Sequence, residues 1–107
     1  MTKSYRKIFV VQSIRADFSS LVEAADEIHF LTSGNESSKD LFKVIKEGLK
    51  DFIPHMDAIV PAGKSFGCLL TGLALSEIVA KREPITLGLF YSDNGEKNYY
   101  FSEVYLE

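Results

Sequence analysis

The stretch Asp57-Ala58-Ile59-Val60-Pro61-Ala62-Gly63-Lys64-Ser65-Phe66-Gly67 decides the fold class of this 107-residue chain. Residues 57–62 predict a short buried strand, the small residues next to them predict a turn, and residues 65–82 predict a helix. A strand that passes through a tight turn into a helix is the repeating unit of α/β proteins. The turn aims backbone N–H groups, a lysine and a serine at one point, and this geometry suits an anion.

Apolar runs and turn residues on either side predict the remaining elements. These are four more strands and one more helix: strands at residues 7–12, 27–32, 85–92 and 98–106, and a helix at residues 37–52. Asp93-Asn94-Gly95 predicts a hairpin between the last two strands. The order predicts a small three-layer, Rossmann-like α/β domain, with five mostly parallel strands and a C-terminal antiparallel hairpin strand. Residues 13–26 are short for a crossover, so an antiparallel first pair and an α+β fold stay open.

Composition limits the class of protein. With 46% hydrophobic and 25% charged residues, the chain is typical of one globular domain over residues 1–107. The net charge of −3 argues against a general nucleic-acid binder, because neutralising phosphates needs a basic surplus. The single cysteine, Cys68, favours a reducing compartment. The longest apolar run, residues 66–80, contains polar residues and is shorter than the roughly 20 residues of a membrane span. We therefore expect a cytoplasmic protein without a signal peptide or membrane segment.

Polar residues follow the predicted parallel strands, at the sheet edge where ligands bind in open α/β folds. We expect a small-molecule site there, formed by Gln12, Ser13, Arg15, Thr32, Ser33, Gly63, Lys64, Ser65, Gly67 and Tyr91. Arg15 and Lys64 would pair with a phosphate, whose oxygens Ser65 and the neighbouring amides would hold. The alternative interpretation is that such a rim is polar in every soluble protein, because loops lie at the surface.

Short motifs in the turn do not identify a reaction. Gly63-Lys64-Ser65 matches the end of a phosphate-binding P-loop, but Ala58 stands where that motif requires its first glycine. Gly-x-Ser-x-Gly around Ser65 is not followed by a histidine, which argues against a hydrolase nucleophile elbow. Two histidines and one cysteine give no metal-ligand spacing, so neither metal nor cofactor is predicted. Catalytic residues stay unassigned.

The chain resembles small uncharacterised α/β proteins of bacteriophages. The similar segments are KIFVVQSIRADFSSL at residues 7–21, DAIVPAGKSFGCLLTGLAL at residues 57–75 and ITLGLFYSDNGEKNYYF at residues 85–101. The strand, glycine turn and helix also resemble the Rossmann-like nucleotide-sensing domains of CRISPR accessory proteins. This second resemblance implies a nucleotide or cyclic nucleotide ligand. In a viral chain it implies that the protein sequesters or degrades a host signal in the host cytoplasm.

Two functions follow from these observations. The first is a binding module for a phosphate-bearing small molecule at the strand ends. The alternative is a ligand-free interaction or inhibitor protein that grips a host protein through its last strand or a lysine stripe. The stripe has spacings of 4, 3 and 4 residues: Lys39, Lys43, Lys46 and Lys50. The last strand is bulky on both faces, so we expect a homodimer through this edge. It alternates Tyr99, Phe101 and Tyr105 with Tyr100, Val104 and Leu106.

Overall fold

The computed structural model of the chain describes residues 4–14, 18–80, 82–93 and 96–105. These residues form five strands and three helices. In chain order they are β1 (Tyr5–Gln12), α1 (Ser19–Val22), β2 (Ala25–Thr32), α2 (Ser38–Gly48), β3 (Ala58–Val60), α3 (Ser65–Ile78), β4 (Pro84–Asp93) and β5 (Glu96–Tyr105). The predicted α/β class is confirmed, and so is the order of the five strands and the two long helices; α1, a single helical turn between β1 and β2, is a third helix beyond those predicted.

The strands form one mixed sheet in the order β2-β1-β3-β4-β5. β1 pairs in parallel with β2 and with β3, and β3 pairs in parallel with β4. The alternative of an antiparallel first pair and an α+β fold is therefore wrong. The segment through α1 is a crossover connection between the parallel strands β1 and β2, and it places Gln12 opposite Thr32. β4 and β5 are antiparallel, as predicted, with Asp93 opposite Glu96. Two residues of the predicted turn, Asn94 and Gly95, lie outside the described residues.

The two faces of the sheet carry separate hydrophobic cores. α2 and α3 cover one face, and their buried partners in the strands include Phe9 and Val11 of β1. Ile8 and Val10 point to the opposite face, where they pack with Leu21 of α1. Successive side chains of a strand point to opposite faces, so a strand that is covered on both sides must be apolar throughout. This explains the continuous apolar run in β1.

Both long helices end earlier than their patterns predict. α2 ends at Gly48 although residues 49–52 continue its apolar spacing, and Phe52 still packs edge-on against Phe9 with ring centroids 5.8 Å apart. α3 ends at Ile78 because Val79 has extended backbone angles, φ −101° and ψ 127°, and is buried in the core. In both cases the core contact is made by chain that has left the helix, so apolar spacing alone overestimates the helix length.

A buried carboxylate joins the start of β1 to the loop that precedes β3. Asp57 is completely buried, and its oxygens accept hydrogen bonds from Arg6 Nε at 3.0 Å and Arg6 Nη2 at 2.7 Å. The same carboxylate accepts from the backbone N–H of Ile53 at 2.8 Å and of Lys7 at 3.2 Å. These hydrogen bonds to Asp57 raise the pKa of the Arg6 guanidinium. The ion pair therefore positions β3 beside β1, and with it the turn into α3.

The two edges of the sheet are β2 and β5. On β5 the side chains of Tyr100, Val104 and Tyr105 are 40–53% exposed, while Leu106 lies outside the described residues. The homodimer expected from this strand stays a prediction. Among the described residues, no helix is long and apolar enough to cross a membrane.

Candidate functional site

The candidate site lies where the direction of strand addition reverses. From β1 the chain first adds β2 on one side, and it then returns to add β3 on the other side. Loops that leave β1 and β3 in opposite directions open a crevice outside their carboxyl ends. A cavity of about 170 Å³ occupies this end of the sheet. Its lining residues are Gln12, Thr32, Gly34, Glu36, Ser38, Leu41, Lys64, Phe66 and Gly67.

Gln12, the last residue of β1, links the turns that follow β2 and β3. Its Oε1 atom accepts a hydrogen bond from the backbone N–H of Lys64 at 2.9 Å. Gly34 and Gly63 flank it, and both have φ of +94°, a backbone conformation that side chains disfavour. A Cβ atom at either glycine would collide with the Gln12 side chain. Each of these positions therefore requires glycine for two reasons: the positive φ angle and the lack of room for a Cβ atom.

The N-terminus of α3 faces this cavity without a cap. Lys64 occupies the N-cap position, its side chain makes no capping hydrogen bond, and the first turn contains no acidic residue. Within the described residues, the backbone N–H groups of Ser65, Phe66 and Gly67 donate no hydrogen bond, and the first helical bond is from Cys68 N–H to Lys64 O. Unpaired N–H groups and the helix dipole leave partial positive charge there. This end of α3 is suited to an anion.

The N-terminus of α2 is different, because a side chain caps it and its first turn contains an acidic residue. Ser37 Oγ accepts from the N–H of Asp40 at 3.4 Å and donates to the Asp40 carboxylate at 2.9 Å. In the turn just before it, the Glu36 carboxylate accepts from the N–H groups of Ser33 and Gly34, each at 3.0 Å. The Ser33 N–H in particular lowers the pKa of Glu36. An external anion therefore has donors to bind at α3 but is opposed by carboxylates at α2.

Four of the predicted site residues line the cavity: Gln12, Thr32, Lys64 and Gly67. Gly63 contributes indirectly, by making room for Gln12. The Thr32 hydroxyl donates to Val11 O at 2.8 Å and is buried, so it holds β2 to β1. Gly67 is buried beside Val11. A Cβ atom at residue 67 would lie 3.6 Å from Val11 Cγ1, an ordinary van der Waals contact, so the available space does not require glycine there.

The other predicted residues have different positions. Ser13 donates its backbone N–H to Thr32 O at 2.9 Å and extends the parallel ladder by one residue. Ser33 accepts from the N–H of Asn35 at 3.2 Å within its own turn. Ser65 is the first residue of α3 and is exposed. Tyr91 lies in β4, opposite Asn98 of β5. Arg15, the second predicted cation, lies outside the described residues.

Sequence reasoning missed the residues that α2 and its preceding turn contribute. Glu36, Ser38 and Leu41 line the cavity, and Phe66 closes it from α3. The signal for Glu36 is its position after the Ser-Gly turn, where a carboxylate can accept the N–H groups of that turn. No local sequence pattern indicates that Leu41 and Phe66 line the same cavity, because this depends on how α2 packs beside α3.

Comparisons of the chain with protein-family models, curated proteins and solved structures give no match.

Proposed function

We propose that this protein binds a small phosphate-bearing molecule in the crevice between β1 and β3. The observation that carries the proposal is the uncapped start of α3, where three backbone N–H groups with no partner among the described residues adjoin a cavity together with the Lys64 side chain. Phosphate oxygens are the acceptors that such a helix start favours, because N–H donors and the dipole act together. Lys64 adds a mobile charge to these fixed donors.

We further propose that the domain is Rossmann-like in how it presents this ligand. The strand order β2-β1-β3-β4-β5 supports this, since it is one of the two common orders of doubly wound sheets. In such sheets the ligand lies at the point where strand addition reverses, which here is the β1–β3 crevice.

The cavity and its acidic side favour a nucleotide or cyclic nucleotide over inorganic phosphate. A volume of about 170 Å³ is below the roughly 300–1,000 Å³ of pockets that enclose a drug-sized ligand. It would hold the phosphate and part of a sugar, while the base stays at the surface. Glu36 lines the same cavity and offers carboxylate oxygens to which sugar hydroxyls can donate. The proposal is one of binding and includes no bond-breaking step.

Calorimetric titration with AMP, cyclic AMP and inorganic phosphate at matched salt tests the proposal. We expect Lys64→Ala to weaken nucleotide binding by about 1.5–3 kcal/mol, the range for a hydrogen bond to a charged group, which is roughly 10- to 150-fold. Lys43→Ala is the matched control, because it removes the same charge from an exposed position outside the cavity. It should leave affinity unchanged.

Neither variant should alter folding by more than about 0.5 kcal/mol, since both lysines are exposed. A thermal-shift screen gives a second readout, because ligand at 100 times its dissociation constant stabilises the fold by about 2.7 kcal/mol. Equal affinity in wild type and Lys64→Ala, or an equal loss in Lys43→Ala, would show that the α3 start is not the site.

A further inference from the structure

The outer surface of α3 carries an apolar ridge, defined as Phe66, Leu69 and Leu73. These side chains are 51%, 63% and 50% exposed. Their spacings of 3 and 4 residues place them on one face of the helix, opposite the buried positions Thr71 and Leu75. No charged residue occurs between Lys64 and Glu77. A helix that is apolar on its outer as well as its inner face normally has a covering partner.

A basic stripe along α2 and the turn after it runs beside this ridge. It consists of Lys39, Lys43 and Lys46 of α2 and Lys50 of that turn, all exposed. Lys46 Nζ lies 3.1 Å from Glu77 Oε2 of α3 and 5.2 Å from the centre of the Phe42 ring. Glu77 is one helical turn beyond Leu73, so this ion pair sets the stripe and the ridge on the same side of the two helices.

The stripe borders a surface depression of about 410 Å³, lined by Lys39, Phe42, Lys43, Lys46, Glu47 and Lys50. Among the described residues, Lys39, Lys43 and Lys50 make no ion pair. The patch is therefore locally basic in a chain whose net charge is −3. Charge of this kind attracts an acidic partner, and the ridge beside it supplies the apolar area that charge alone lacks.

We propose that the ridge and the stripe together form a docking site for an acidic amphipathic helix of a partner protein. Lys39, Lys43 and Lys46 share one face of α2. Lys50, just beyond the helix end, lines the same depression, and the resulting spacing of 4, 3 and 4 residues is the same in both directions. A partner helix with carboxylates at the same spacing matches the stripe in either orientation. Its adjoining apolar side chains cover Leu69 and Leu73, as in other helix-in-groove complexes. α3 has 14 residues and is about 21 Å long, so a partner helix of three to four turns spans the site.

Charge and shape favour a protein over the other anionic partners. An anionic membrane acts on every charge of the protein within about a Debye length, roughly 8–10 Å. Since the protein has a net charge of −3, the membrane would repel its surface outside the basic stripe. A nucleic-acid backbone would engage the lysines but would leave the ridge exposed to water, because its outer surface is phosphate. A helix that carries both carboxylates and leucines covers both features.

The probe is a synthetic 14-residue helical peptide with glutamates at spacings of 4, 3 and 4 and leucines on the adjoining face. A peptide of the same composition in scrambled order is its control. Fluorescence anisotropy measures binding to the full chain. We expect Lys43→Glu to weaken binding at least about fivefold, the upper range of an exposed ion pair, and Lys43→Arg to stay within about twofold. Leu69→Gln should cost about tenfold through lost apolar burial.

Val22→Gln is the matched control for Leu69→Gln, because Val22 is 55% exposed on α1 and belongs to the opposite side of the sheet. It should leave the affinity for the peptide unchanged. The proposal is overturned if the ordered peptide does not bind, if the scrambled peptide binds equally well, or if Leu69→Gln has no effect. Tighter binding to vesicles containing phosphatidylserine, or to duplex DNA, would also overturn it in favour of those partners.

Discussion

Replacement of Asp57 by alanine should be among the most damaging single changes in this protein. The carboxylate has no exposed surface and accepts four hydrogen bonds, two from the Arg6 guanidinium and one each from the N–H groups of Lys7 and Ile53. Asp57→Ala removes this acceptor from all four N–H donors, although Arg6 Nη2 still donates to Asp51 O at 2.6 Å. We expect it to lower the free energy of unfolding by about 2–4 kcal/mol, less than for a fully buried ion pair, because the Arg6 side chain left behind is 32% exposed and its charge can be hydrated. Asp57→Asn keeps one acceptor oxygen and should cost less, about 1.5–3 kcal/mol.

Urea denaturation followed by circular dichroism measures both effects. With a slope of about 1.5 kcal/mol per molar urea, a loss of about 3 kcal/mol lowers the midpoint by about 2 M. Asp51→Ala is the control, because that side chain is 74% exposed and lies 3.9 Å from Lys7 Nζ. It should cost less than about 1 kcal/mol. If Asp57→Ala costs no more than Asp51→Ala at an unchanged slope, the Arg6–Asp57 pair does not hold β3 to β1.

Two further predictions concern local features. Gly72 is exposed within α3, and a Cβ atom there would meet nothing within 4 Å. Gly72→Ala should therefore raise the free energy of unfolding by about 0.5–1 kcal/mol in the same urea assay, and a lower free energy of unfolding would contradict this reasoning. The N–H of Ser33 lowers the pKa of Glu36 in the folded state, so its contribution is present above the unfolded value and disappears as pH falls through the folded one. The difference in Tm between wild type and Glu36→Gln should therefore be positive at pH 7 and shrink below about pH 4, whereas a constant difference would rule out this linkage.

The helix starts and strand positions could be predicted because their signals are local. Ser37 caps α2 through an atom three residues away, and the β-branched run of β1 acts on its own backbone. The helix ends could not be predicted in the same way. Val79 has an extended backbone and is buried in the core beside α3, and residues 79–82 alone do not indicate that burial.

The candidate site also contains some residues that local sequence predicts and others that distant segments bring in. Gly63, Lys64 and the start of α3 follow from the turn residues themselves, so the sequence determined that a donor-rich turn opens a helix after a buried strand. The meeting of Gln12 with Lys64, 52 residues apart, needs β1 and β3 to be neighbours. Glu36 enters the cavity for the same reason, since β2 joins the sheet on the other side of β1.

The α/β class, the order of the strands and long helices and the donor-rich turn all follow from the sequence, because each depends on residues within a few positions of one another. The strand order β2-β1-β3-β4-β5, the parallel pairing of β1 with β2 and the position of the ridge beside the basic stripe come from the folded structure. These depend on which distant segments bury their apolar faces together. The Arg6–Asp57 pair, 51 residues apart, is a contact of that kind, because its hydrogen bonds exist only when β3 lies beside β1.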